Sequence, residues 1–106
     1  MTDFIVGQVY SLQKAVWLSH GNLMTLRDKE PHDSQGVMAP GARLAVRKVV
    51  VHRSPEIGTY TDVFAEVLTG QHKGKTVNVG VISKISKTGY TKRDPEMLEP
   101  VSNESK

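Results

Sequence analysis

The chain has 106 residues, no cysteine and a formal net charge of +3, with 38% hydrophobic and 24% charged residues. That length holds one core of ordinary size, the composition is too apolar for a disordered chain, and the missing cysteines exclude a disulfide framework, a thiolate metal site and a cysteine nucleophile. No apolar run reaches the ~18 residues of a membrane span, and the start Met1-Thr2-Asp3-Phe4-Ile5-Val6-Gly7 has no basic segment followed by a long apolar one. A cytoplasmic protein with no membrane partner is the expectation.

In chain order, Gly7–Leu12 and Lys14–Leu18 are rich in β-branched and aromatic residues and end at the turn signal Ser19-His20-Gly21-Asn22. Leu23–Arg27 follows as a short strand, so Ala15–Leu26 reads as a hairpin turning at Gly21. Asp28–Pro40, with Pro31, Gly36 and Pro40 among mostly polar neighbours, has no periodicity and reads as a long loop.

Arg43–His52 carries the strongest strand signal, introduced by the turn Pro40-Gly41. Its phase slips near Arg47-Lys48: Leu44 and Val46 share a face, yet the same parity then reaches Lys48 while Val49 and Val51 fall opposite. A β-bulge that absorbs one residue resolves the conflict; without it a lysine points inward. After the connector Ser54–Thr59, Tyr60–Leu68 alternates with Val63, Ala65 and Val67 on one side and Asp62, Phe64 and Glu66 on the other. Thr76–Ile82 alternates too, with Val77, Val79 and Val81 inward. The glycine-flanked connector Thr69–Lys75 makes a basic hairpin of these two.

Ser83–Arg93 is polar and reads as a loop. Asp94-Pro95-Glu96-Met97-Leu98 has a helix start's residue order, an Asp cap, a Pro in the first turn and an acid near the positive end of the peptide dipoles. Pro100 ends it. Met97, Leu98 and Val101 are placed to seal one end of the core, and Ser102–Lys106 is a tail to a single domain over residues 1–101. The whole is expected to be all-β, a small antiparallel closed barrel of five or six short strands with one short helical turn near the C-terminus.

This layout is similar to the Src-homology-three barrel, in which a long loop follows an early strand and a helical turn precedes the last one. Gly70-Gln71-His72-Lys73-Gly74-Lys75-Thr76-Val77-Asn78-Val79 resembles the glycine-and-lysine turn of KOW-type ribosomal and transcription modules, with Asn78 where those modules carry a further glycine. The resemblance implies contact with RNA or with a protein partner through that turn.

Cations are segregated along the chain. Neither Ser34–Pro55 nor Val67–Arg93 holds an acid, whereas acids gather at Asp28, Glu30 and Asp33, at Glu56, Asp62 and Glu66, and in the C-terminal segment. His72, Lys73, Lys75, Lys84, Lys87, Lys92 and Arg93 are therefore the candidate contacts to RNA or DNA phosphates, with Tyr60, Phe64 or Tyr90 for base stacking. The competing reading is a protein-interaction adaptor using Tyr10, Trp17 and the Asp28–Pro40 loop as an aromatic groove, or a free strand edge. His20, His32, His52 and His72 are dispersed without metal-ligand spacing, so no metal or other cofactor is expected. No serine or threonine elbow and no strand-to-helix phosphate loop is present. A non-enzymatic binding module is the reading the residues support.

Overall fold

A computed structural model describes residues 2–19, 24–32, 34–56, 58–86 and 89–101. Its strands are β1 (Val9–Leu12), β2 (Val16–Ser19), β3 (Thr25–Arg27), β4 (Ser34–Met38), β5 (Arg43–Ser54), β6 (Gly58–Val67), β7 (Thr76–Asn78), β8 (Lys84–Ile85), β9 (Thr91–Lys92) and β10 (Leu98–Pro100). Eight of them form one sheet, ordered β10-β1-β5-β6-β7-β3-β2-β4, and β8 pairs with β9 in a separate ribbon. The large sheet curls into a half-barrel. Its end strands β10 and β4 do not pair with each other, so hydrogen bonding leaves the barrel open. Among the described residues no helix is long and apolar enough to cross a membrane.

The core lies on the inner face of the curl. Residues directly opposite in antiparallel strands share a face, and the inner rows pair Val46 with Ala65 and Ala65 with Val77. Further rows pair Leu18 with Leu26 and Leu12 with Leu98. All seven are buried, as are Val16, Leu44, Val63 and Val67. Each fully buried aliphatic side chain contributes about 1.5–3 kcal/mol relative to exposure, so this one face accounts for most of the drive to fold.

The phase slip in β5 is a bulge. Val46 pairs with Ala65 but Lys48 pairs with Phe64, leaving Arg47 as the extra residue. Beyond it Val49 stands opposite the fully buried Val63 and packs against the core, while Lys48 stays exposed. Arg47 is held at the surface by Glu66, Nε to Oε1 at 3.0 Å.

Several sequence expectations are corrected. The curled sheet has eight strands, not five or six, and is open and not closed. Residues 34–38, expected within a loop, form β4 against β2, with Val16 opposite Met38. Gly36 there has φ +132°, which L side chains rarely adopt, and a Cβ would stand 3.3 Å from the His72 ring. The strand expected over 76–82 stops at Asn78, because the Asn78 Oδ1 accepts from Gly80 N at 2.7 Å and turns the chain. Val81 consequently faces outward, 46% exposed. Residues 84–92, also expected as loop, supply the β8–β9 ribbon.

The helical turn at Asp94 is likewise corrected to a hydrogen-bonded turn. Met97 N and Leu98 N both donate to the Asp94 carbonyl, at 2.9 and 3.0 Å, and Glu96 N to Asp94 Oδ1. The turn goes no further because Leu98 joins β10 and its side chain enters the core opposite Leu12. Pro100 does not disrupt β10, which is an edge strand. The Ala15–Leu26 hairpin is observed as β2 against β3. Its turn at Gly21 and the tail 102–106 lie outside the described residues.

Deleting Arg47 makes the β5–β6 ladder regular and removes only an exposed ion pair. Urea denaturation of that variant is expected to show a loss of about 1 kcal/mol or less. Deleting Ala45 turns Arg47 or Arg43 toward the core and is expected to cost several kcal/mol; equal effects of the two deletions would contradict the bulge assignment.

Candidate binding surface

The basic hairpin between β6 and β7 is a tight turn. Gly74 N donates to the Val67 carbonyl at 2.8 Å and Lys73 N to the Gly70 carbonyl at 3.2 Å. Lys73 and Lys75 are exposed on it. His72 is not: at 9% exposure it lies beneath the turn, against Gly36 of β4. It packs between the hairpin and β4, and the little of it that is accessible lines an open cleft with Val37, Met38 and Gln71.

The second basic segment is the ribbon. Lys84 stands directly opposite Lys92, and both are exposed. Neither has an acidic partner among the described residues. The ribbon lies against the first part of β6, where Thr91 Oγ1 donates to the Thr61 carbonyl at 2.7 Å in a buried bond. Arg93 is committed elsewhere: its Nη1 donates to the Leu98 carbonyl at 2.8 Å and sits 3.5 Å from Glu99 Oε2. Lys87 lies outside the described residues.

These two basic segments are not brought together. The ribbon meets β6 at Thr61 and the hairpin leaves it at Val67, about 20 Å apart at roughly 3.3 Å per residue.

Of the aromatic candidates, Tyr10 is 3% exposed and edge-on to Phe4, with ring centroids 5.5 Å apart. It is a core residue and lines no groove. Trp17 is on the outer face, half-buried between Arg27 and the exposed Val37, its neighbours across β3 and β4. Tyr60 and Phe64 are on the outer face of β6, opposite His52 and Lys48.

That outer face holds a polar cluster that the spacing analysis of the histidines did not find. His52 Nε2 lies 2.8 Å from Asp62 Oδ2, and Asn78 Nδ2 donates to Asp62 Oδ1 at 3.4 Å. The His52 ring stacks on Tyr60 at 4.6 Å with 16° between planes. The signal was present in the hairpin register: once His52 is opposite Tyr60, Asp62 is its diagonal neighbour, within side-chain reach. Beside the cluster, between β3, β6, the end of β7 and the ribbon, is an open groove of about 380 Å³. No group of three His, Asp or Glu side chains suited to a metal occurs among the described residues.

No protein-family model, curated protein or solved structure matches this chain.

The ribbon's seat depends on Gly89. Its φ is +89°, and a Cβ there would collide with the Thr59 carbonyl. Gly89→Ala is expected to lift the ribbon off β6, accelerating amide exchange at Ser86 by about tenfold or more, since the left-handed backbone alone costs roughly 1–2 kcal/mol. Val46, on β5 on the other side of β6, is expected to keep its protection; unchanged exchange at Ser86 would show that the ribbon does not need this contact.

Proposed function

We propose that the chain is a non-enzymatic binding module for single-stranded nucleic acid, with the β8–β9 ribbon as its principal phosphate contact. The observation that carries this reading is the pairing of Lys84 with Lys92. Like charges directly opposite across two strands destabilise them, and no acid among the described residues relieves this pair. A bridging phosphate removes the cost. Tyr60 and Phe64 on the neighbouring strand supply ring surface for bases, and Lys73 and Lys75 extend the positive charge to the other end of β6. The likeness of the Gly70–Val79 segment to KOW-type turns agrees with this reading.

A second reading rests on Trp17. A half-buried tryptophan flanked by an exposed valine and an arginine without an ion pair among the described residues is the kind of surface that anchors a protein partner. Its binding would be insensitive to charge changes at Lys73 and Lys75.

Fluorescence anisotropy with a labelled single-stranded oligonucleotide, over a range of salt, tests the first reading. Affinity is expected to fall log-linearly with salt, and neutralising both lysines in Lys84→Gln/Lys92→Gln is expected to reduce the slope by roughly 0.7 to 1.4, at about 0.7 per phosphate neutralised on a single strand. Absence of binding at low salt would overturn it and leave the Trp17 reading to be tested.

A further inference from the structure

We infer that the groove beside the ribbon is a pocket for one unpaired base, and that its chemistry selects guanine. The inference rests on the nucleic-acid reading above and goes beyond it in naming the base and the residues that read it.

The groove's floor is defined by a carboxylate whose orientation is fixed on two sides. Asp62 Oδ2 is engaged by His52 and Oδ1 by the longer bond from Asn78. Asn78 is itself tied down, because its own oxygen accepts from Gly80 N. The carboxylate is still one-third accessible, and each of its oxygens has lone-pair capacity beyond one bond. Held this way, it is a rigid acceptor pair with no donor of its own.

The wall is Tyr60. One face of its ring is occupied by His52, which fixes the ring plane, and the residue lines the groove at 38% exposure. An apolar lip is formed opposite by Ile85, 73% exposed, and Val81. A flat aromatic ligand entering here has a ring to stack on and an apolar edge to cover. Arg27 lines the same groove without an ion pair among the described residues, so the pocket carries an uncommitted cation for a phosphate. Lys84 is one residue from Ile85, about 3.8 Å between Cα atoms, and alternation directs it to the ribbon's other face.

Among the bases, guanine alone presents two adjacent donors, N1–H and the N2 amino group, on its Watson–Crick edge. Both can donate to one carboxylate in a charge-assisted bidentate pair. On the same edge adenine and cytosine set an amino donor beside a ring-nitrogen acceptor, and uracil sets its N3–H between two carbonyls, so in each an acceptor faces the second carboxylate oxygen and is repelled. Single-stranded recognition commonly reads this edge with the base stacked on an aromatic ring.

The test compares short oligonucleotides that differ at one position, UUGUU, UUAUU, UUCUU and UUUUU, titrated against the full chain while amide chemical shifts are followed. The guanine oligonucleotide is expected to bind at least about fivefold more tightly than the others, with shifts at Tyr60, Asp62 and Asn78, since a bidentate base contact discriminates by about 1–3 kcal/mol. Asp62→Asn is expected to reduce that preference to under twofold. Tyr60→Leu, which leaves the carboxylate in place, is expected to weaken all four while keeping the preference, and so covers the case in which the Asp62 variant fails to fold. Equal, salt-dependent binding of all four oligonucleotides would overturn the guanine pocket and leave the nucleic-acid reading standing. Failure of all four to bind at low salt would overturn both.

Discussion

The β5–β6 hairpin is the longest pairing in the molecule, and one residue, Arg47, sets its phase. The rows Leu44–Val67 and Val46–Ala65 before the bulge and Val49–Val63 after it face the same core only because Arg47 takes no partner in the ladder. Alternation is strict, so adding or removing one paired residue of β5 would exchange faces along half the strand. The outer face is set by the same count. Lys48 beside Phe64, Val50 beside Asp62 and His52 beside Tyr60 are consecutive outer pairs after the bulge. The polar cluster that lines the groove is thus a consequence of the device that keeps valines in the core.

Around that hairpin, short polar contacts end strands that hydrophobic pattern alone would continue. The side chain of Asn78 captures Gly80 N and stops β7, which leaves the first part of β6 without a strand neighbour on that side. The ribbon fills the place, anchored by a hydroxyl, Thr91 Oγ1, on the Thr61 carbonyl instead of by a continuous ladder. An incomplete ladder is why a groove exists there at all: β3 meets β7 only at Thr25 and Asn78, and the gap between them and the ribbon is open to solvent.

The features legible in the sequence were those written as long alternations. Arg43–His52, with its conflict at Arg47-Lys48, and Tyr60–Leu68 gave both the strands and the bulge, and Ala15–Leu26 gave the pairing of β2 with β3. The missed elements are short or carry no alternation: β4 contains Gly36 in a conformation that no period describes, and β8 and β9 are two residues each, too short for a pattern to register. At the site, charge suggests exposure. That holds for Lys73, Lys75, Lys84 and Lys92, and fails for His72 and Arg93, whose places depend on partners distant in sequence, Gly36 and the Asp94 turn with β10. Nearness to Trp17 in the chain suggests that Tyr10 shares its surface, yet the two lie on strands separated by most of the sheet.

The separation of the two basic segments constrains any ligand that uses both. A mononucleotide or a free phosphate cannot span about 20 Å, so such a ligand contacts the ribbon or the hairpin and not the pair. A polymer does span it: a single strand of about four nucleotides or more, at the lower end of the site sizes found on small barrels, reaches from Lys84 and Lys92 across the outer face to Lys73 and Lys75. On that path it passes Tyr60 and Phe64, which are on the same outer face of β6 as the groove. In the proposed reading the distance that keeps the cations from forming one patch is what converts an anion site into one that requires a chain.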